Sequence, residues 1–190
     1  MKDWGDEMGE KEKLKEEKQL KTETEEMLER PVRQQLELEE TNMYVLFARM
    51  FASITKEVEA RCGRDGVEAV REGVRQFGLE RGKNIADRAR QMGHEADLCH
   101  YLSCYDMGRS GYFNSEDRVE ADEVEQTFDR CIFAETWMSD HTQQWGIHYC
   151  ELIDPSIACG YDPRMECCHD RHFFKDGQCH FLFKMKDDNE

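Results

Sequence analysis

The spacing of apolar residues changes along this chain, and the change constrains the fold more than any other feature. Within Met43–Gly63, large apolar side chains recur every three or four positions, which predicts an amphipathic helix that ends at a glycine. A second helix is predicted over Asp65–Gly93 and a third over Glu95–Met107. After a turn predicted at residues 108–114, apolar and polar residues alternate, as is typical of strands. Helices that precede strands predict an α+β fold.

The C-terminal half predicts two further helices between extended segments. The alternation within Arg118–Phe133 predicts an extended segment, and Ala134–Trp145 and His148–Ala158 predict helices. Met165–Phe174 and Cys179–Met185 predict two strands joined by a turn that contains Asp-Gly. We therefore expect N-terminal helices packed on a small antiparallel sheet that ends in a C-terminal β-hairpin.

Three glycines interrupt the second predicted helix, at Gly73, Gly78 and Gly82. Each costs about 1 kcal/mol relative to alanine in a helix interior. Because the pattern is otherwise strongly helical, we expect another element to approach the helix closely at these positions.

Residues 1–41 differ in composition from the rest of the chain. They contain 8 Lys and Arg and 14 Asp and Glu, with few large apolar side chains. The few that are present, such as Leu14, Met27 and Leu28, form no heptad repeat, so no stable coiled coil is predicted. Because such a segment buries little apolar surface, we expect a charged extension that is partly helical or disordered. The α+β domain is then predicted over residues 42–187.

The formal net charge of −16 bears on the classes of partner. Phosphate backbones and anionic lipid surfaces are repelled by such a charge. The N-terminal sequence has no apolar run typical of a secretory signal, and no stretch approaches about 18 consecutive apolar residues. We expect a cytoplasmic protein that binds neither nucleic acid nor membranes. The sequence leaves the oligomeric state open, a homo-oligomer included.

Nine cysteines are unusual in an acidic chain of 190 residues. The count is odd and no secretory signal is evident, so a disulfide framework is not expected. Free cysteines act as small buried hydrophobes, metal ligands or nucleophiles. We expect most of them to be free thiols.

Three spaced segments in the C-terminal half carry a family resemblance. They read FDRCIFAETW, GIHYCELIDPSIACGYDPRM and KDGQCHFLF, and upstream lies VREGVRQFGLERGKNIADRARQMG. Together they resemble the L-2-amino-thiazoline-4-carboxylic acid hydrolase family over Met43–Lys186. The family pattern contains a strand-end cysteine (Cys131), a Tyr-Cys pair with an aspartate four residues later (Cys150 and Asp154), and a terminal hairpin. The chain departs from it at Ile132, where the family usually has proline.

The resemblance implies a small-molecule substrate and a ring-opening hydrolysis. The expected reaction cuts a cyclic amidine such as 2-amino-thiazoline-4-carboxylate toward N-carbamoyl-cysteine, and we assign it to the hydrolases of carbon–nitrogen bonds. Such a reaction needs an activated nucleophile and a proton donor to the leaving nitrogen or sulfur. It also needs an anion for the amidinium group and a cation for the carboxylate.

Candidate residues for these roles follow from the matched motifs. Asp154 is the candidate base or amidinium anchor, and Cys150 is a candidate nucleophile if His148 or a helix end favours its thiolate. Cys131 and Cys179 are expected to line the site. For the substrate carboxylate, the neighbouring guanidinium groups of Arg130 and Arg164 are candidates.

A fainter similarity to 4-vinyl reductase-like small-molecule-binding domains implies a different function. In those domains cysteines near a terminal hairpin hold zinc, and Cys and His suit tetrahedral zinc. The candidate ligands here are Cys131, Cys150, His172 and Cys179. The alternative function is thus a non-catalytic, zinc-containing domain that binds a small molecule.

Overall fold

The computed structural model describes residues 41–107 and 111–186. It contains helices and a four-stranded antiparallel sheet in the order β1-β2-β4-β3, which confirms the predicted α+β fold. The predicted extension lies outside the described residues except for Thr41. In chain order the elements are α1 (Met43–Gln91), α2 (Leu98–Tyr101), β1 (Phe113–Val119), β2 (Glu123–Cys131), α3 (Ile132–Ser139), α4 (Gln143–Cys150), α5 (Ile153–Tyr161), β3 (Met165–Arg171), α6 (Phe173–Asp176) and β4 (Cys179–Met185).

Helix α1 joins the first two predicted helices across a kink. Its first turn is capped by the Asn42 side chain, which accepts a hydrogen bond from the backbone N–H of Tyr44 at 2.7 Å. The kink lies at Gly63, where φ is 60° and ψ is −146°, a conformation that glycine adopts without strain. The predicted break is therefore confirmed. Within residues 41–107 and 111–186, no helix combines the length and apolar character needed to cross a membrane.

Helix α1 packs closely against α5. A Cβ added at Gly82 would overlap the carbonyl oxygen of Ile157, and one at Gly78 would overlap Ser156. The predicted close approach is confirmed at these two glycines. It is wrong at Gly73, where an added Cβ would have no neighbour within 4 Å.

The helices cover one face of the sheet. Val124 of β2 and Phe183 of β4 point from that face into the core, where they are almost fully buried. Trp137 of α3 is also fully buried, and its indole N–H donates to the carbonyl oxygen of Ala48 at 2.7 Å. This bond satisfies the polar atom of a core tryptophan and ties α3 to α1.

The segment Arg118–Phe133, predicted to be extended, contains the end of β1 and all of β2, and its last two residues begin α3. The structure has a hairpin there, because β1 (Phe113–Val119) pairs antiparallel with β2. Asn114, predicted to lie in a turn, belongs to β1, whereas residues 108–110 lie outside the described part of the chain. As an edge strand with half-exposed side chains, β1 has the polar sequence FNSEDRV and lacks a clear apolar alternation.

Three helix predictions also change in extent. The segment Glu95–Met107 is helical only over Leu98–Tyr101. Ala134–Trp145 is interrupted at His141, whose φ of 55° is incompatible with a right-handed helix. His148–Ala158 spans the end of α4 and most of α5. The C-terminal hairpin is confirmed, with the short helix α6 in its connection.

On the opposite face of the sheet, His180 is held between two carboxylates. Its Nδ1 lies 2.6 Å from Asp170 Oδ1, and its Nε2 lies 2.9 Å from Glu125 Oε1. Two carboxylate partners, which accept hydrogen bonds, favour a ring that donates from both nitrogens, the imidazolium form. Hydrogen bonds to Glu125 and Asp170 raise the pKa of His180 above 6.5. Its stabilising contribution is therefore fully present below about pH 6.5 and is lost as pH rises through the folded-state pKa.

The His180→Gln variant should remove this pH dependence. Between about pH 6 and pH 8, the free energy of unfolding of the wild type should fall relative to that of the variant by on the order of 1 kcal/mol. Urea unfolding of both proteins at several pH values measures the difference. A difference that stays constant across this range would contradict a charged, clamped histidine.

Candidate active site

A cavity of about 170 Å³ lies between the helices and the inner face of the sheet. Aromatic, aliphatic and cysteine side chains supply most of its wall, and six polar side chains interrupt it. Its lining residues are Arg81, Leu102, Tyr105, Met107, Phe113, Ser115, Asp117, Gln126, Phe128, Cys131, Phe133, Tyr149, Cys150, Ile153, Asp154, His169, Cys179 and Phe181. The size and the mostly apolar wall suit a small ligand with a few polar groups.

Asp154 lies in the first turn of α5 and faces the cavity. Burial raises the pKa of Asp154 to about 6, although the nearby charge of Arg81 acts in the opposite direction. The hydroxyl of Tyr105 donates to Asp154 Oδ1 at 3.5 Å. Asp154 is therefore ionised at neutral pH but is a stronger base than an exposed aspartate.

Arg81 is the cation of the cavity, and the sequence analysis missed it. Its Nε and Nη2 donate to the two carboxylate oxygens of Asp106 at 2.9 and 2.6 Å, and its guanidinium lies 5.6 Å from the ring centroid of Tyr105. Burial disfavours the charge, but the hydrogen bonds to Asp106, together with the nearby Tyr105 and Tyr149, offset it, and the pKa of Arg81 is raised. The sequence does contain a sign that Arg81 is buried. It lies seven positions after Val74 and four before Ile85, and this spacing places it on the buried face of α1.

Three thiols meet at the cavity: Cys131 at the end of β2, Cys150 at the end of α4 and Cys179 at the start of β4. Burial raises the pKa of Cys131 to about 11 and that of Cys179 to about 12, and it raises the pKa of Cys150 well above 9. The charge of Asp154 acts in the same direction on all three. They are protonated at neutral pH, so the condition set for Cys150 as a nucleophile, a favoured thiolate, is not met. All nine cysteines are free, as expected.

His148 lies outside the cavity, although it is close to Cys150 in sequence. It projects from α4 toward α1, where its Nδ1 is 3.2 Å from Arg71 Nη1. Burial and the Arg71 charge lower the pKa of His148. His148 therefore does not join Cys150 in the cavity wall.

Arg130 and Arg164, the candidates for the substrate carboxylate, also lie outside the cavity wall. Arg130 donates to the carbonyl oxygen of Gly111 at 2.6 Å. Arg164 donates to both carboxylate oxygens of Asp162, at 3.2 and 2.8 Å. Both are largely exposed, and the cavity receives its guanidinium from α1 instead.

The four candidate zinc ligands are only partly brought together. Cys131, Cys150 and Cys179 line the cavity, but His172 lies behind its wall, with its ring centroid 3.7 Å from that of His169. In the described residues 41–107 and 111–186, no group of three or more His, Cys, Asp or Glu side chains is arranged to hold a metal ion. The zinc site stays a prediction.

The structure is that of an α+β protein with a largely apolar cavity on the helix-covered face of its sheet. The family model of L-2-amino-thiazoline-4-carboxylic acid hydrolase matches residues 43–183. The chain belongs to this family, which confirms the predicted resemblance.

The chain is similar to a trafficking protein particle complex subunit 3 from Naegleria fowleri covalently bound to palmitic acid. The TM-score is 0.42 at 14% sequence identity, with 76% of this chain and 95% of that chain covered. A comparison with the curated proteins found no match.

Proposed function

We propose that this protein hydrolyses 2-amino-thiazoline-4-carboxylate, or a close analogue, by attack of water on ring carbon C2. The observation that carries the proposal is the presence of Asp154 and Arg81 in one largely apolar cavity, whose second carboxylate, that of Asp117, accepts a hydrogen bond from Gln126 Nε2. The substrate has an amidinium group and a carboxylate. An anion and a cation facing the same small cavity match those two groups, and the apolar wall strengthens both interactions.

The bond that breaks follows from the product. N-carbamoyl-cysteine keeps both nitrogens on the former C2, so its formation breaks the C2–S bond. The expected assignment to carbon–nitrogen bond hydrolysis does not fit that product. Water supplies the oxygen of the new C2=O group, and the ring sulfur leaves as the thiol of the product.

Asp154 can carry the proton from the attacking water to the leaving sulfur. As a carboxylate it takes a proton from the water, and C2 becomes tetrahedral with the C2–O bond formed. When the C2–S bond breaks, the protonated carboxyl group returns this proton to sulfur, and the C2 hydroxyl group loses its proton to solvent as C2=O forms, which balances the charge of the amidinium substrate. A carboxyl group with a pKa of about 6 is a competent acid toward a thiolate, whose conjugate thiol has a pKa of about 8.5.

The cavity thiols have a different role in this account. Because burial keeps Cys131, Cys150 and Cys179 protonated, they fill the wall beside the ligand and do not attack it. Arg81 has Nη1 outside its contact with Asp106, and this N–H group is the proposed donor to the substrate carboxylate.

Incubation of the full chain with 2-amino-thiazoline-4-carboxylate tests the proposal. Ring opening should abolish the ultraviolet absorbance of the substrate and release one thiol per molecule, with a product mass equal to substrate plus water. The Arg81→Met variant should raise KM, because it removes the proposed carboxylate donor. If the folded protein leaves the compound intact, both as purified and with added Zn²⁺, the non-catalytic binding domain becomes the better account.

A further inference from the structure

Arg81 and Asp154 carry opposite charges and line the same cavity, whose wall is mostly apolar. Attraction between such charges grows as the effective dielectric constant falls. A direct ion pair between them would use the guanidinium N–H groups and the carboxylate oxygens at once. Neither group would then be available to a ligand.

The structure shows a different pairing. Arg81 donates through Nε and Nη2 to both oxygens of Asp106, and no hydrogen bond joins it to Asp154 among the described residues. The Arg81 side chain is 10% exposed and that of Asp106 is 24% exposed, so water screens this pair only weakly. The ring of Tyr105, which precedes Asp106, lies against the same guanidinium.

We propose that Asp106 is a positioning residue that holds Arg81 away from Asp154, so that Nη1 of Arg81 serves the ligand carboxylate and Asp154 stays free to act as a base. The inference rests on the proposed function for its catalytic meaning. The pairing of Arg81 with Asp106 in place of Asp154 can be tested in the free protein, without a substrate. Nothing in the family match identifies Asp106.

Several other groups share the surroundings of Asp154. Tyr105 donates to it, while Tyr149 and Cys150 of α4 and Cys167 of β3 lie within reach of its charge. Cys131 and Cys179 at the strand ends do so as well. All of these are uncharged at neutral pH because burial raises their pKa values, and the same holds for Tyr101 of α2. The cavity wall also holds His169, whose pKa burial lowers to about 4, and Asp117, which accepts a hydrogen bond from Gln126 Nε2 at 2.9 Å. Arg81 is the charged group that lowers the pKa of Asp154.

The Asp106→Asn variant tests the inference by NMR titration of the Asp154 carboxyl carbon in the free, full-length protein. Loss of the Asp106 charge should let Arg81 pair with Asp154, and Asp154 should then titrate about one pH unit lower than in the wild type. Asp106→Glu should restore the wild-type midpoint. With turnover, the acid limb of kcat/KM should move in parallel, a change that a merely structural role would not produce.

A double-substitution cycle keeps the test decisive. In the Arg81→Met background, Asp106→Asn should change the Asp154 midpoint far less than in the wild type, because Asp106 acts through Arg81. An equal midpoint in wild type and Asp106→Asn, or an equal change in both backgrounds, would overturn the inference. Because the titration needs no substrate, a shifted midpoint without turnover would uphold it and refute the proposed function.

Discussion

Replacement of Asp154 by asparagine is expected to lower kcat by about 10²–10⁴-fold with little change in substrate affinity beyond the lost amidinium contact. The amide has nearly the shape of the carboxyl group but cannot accept the proton of the attacking water. Nor can it return a proton to the leaving sulfur. Steady-state turnover of 2-amino-thiazoline-4-carboxylate measures the loss directly.

The same substitution should not destabilise the fold at neutral pH. The pKa of Asp154 is raised from 3.8 to about 6, so its cost to stability begins above about pH 4, where the unfolded state ionises, and is complete above about pH 6, where the folded state also holds the charge. Asparagine removes that charge, and Tm at pH 7 should be equal to or higher than that of the wild type. This pattern, lost activity with retained stability, is typical of a functional group kept at a cost to the fold.

Asp162→Asn is the matched control. Asp162 follows α5 directly, outside the cavity, and bonds Arg164. Its substitution should leave turnover close to the wild-type value. Retention of more than about half of the wild-type rate by Asp154→Asn would instead remove Asp154 from the mechanism.

The second large effect is expected at the crossing of α1 and α5. A Cβ at Gly82 would overlap the Ile157 carbonyl oxygen and lie 2.5 Å from the backbone nitrogen of Tyr161. These neighbours are backbone atoms, so no side-chain rotation can relieve the overlap. Gly82→Ala should therefore cost about 4 kcal/mol or more in the free energy of unfolding, and the cavity should lose its shape because Asp154 lies on α5.

Gly73→Ala provides a control within the same helix. An added Cβ there meets nothing within 4 Å, so the greater helix propensity of alanine should stabilise the protein by up to about 1 kcal/mol. Urea unfolding of the two variants gives the comparison. Similar free energies of unfolding for Gly82→Ala and Gly73→Ala would show that α1 and α5 can move apart without loss of stability, contrary to the close packing at Gly82.

The sequence predicted those parts of the fold that have strong local signals. The kink at Gly63 and the C-terminal hairpin were found because glycine and apolar alternation mark them in the sequence itself. The edge strand β1 was missed because its outward side chains are polar and its burial depends on pairing with β2. At Gly73 and Gly82 the same residue type has opposite surroundings, which helix periodicity alone does not distinguish.

The candidate site was predicted in part. The family motifs brought forward Asp154 and the cysteines Cys131, Cys150 and Cys179, and all four line the cavity. Cys150 and Asp154, which fall within the one helix predicted over His148–Ala158, belong to two consecutive helices in the structure. The protonation state of the thiols could not be predicted, because it follows from tertiary burial.

Arg81 and Asp106 show why the charged part of the site was harder to predict. In an acidic chain with many charged residues, Arg81 resembles any other helix arginine until its partner is known. That partner lies 25 residues later, in a segment predicted to be helical that is largely irregular in the structure. In the sequence, Arg81 is distinguished only by its helical spacing from the apolar residues Val74 and Ile85.

The pH dependence of kcat/KM tests most directly whether Asp154, and not a cavity thiolate, activates the nucleophile. The activity should rise with pH as Asp154 ionises, with a midpoint near about 6, and should not rise further through pH 8. The Cys150→Ala variant should keep that midpoint. A rise centred above about pH 8.5, in the range of a thiol, and its loss in Cys150→Ala would contradict the account and identify Cys150 as the nucleophile.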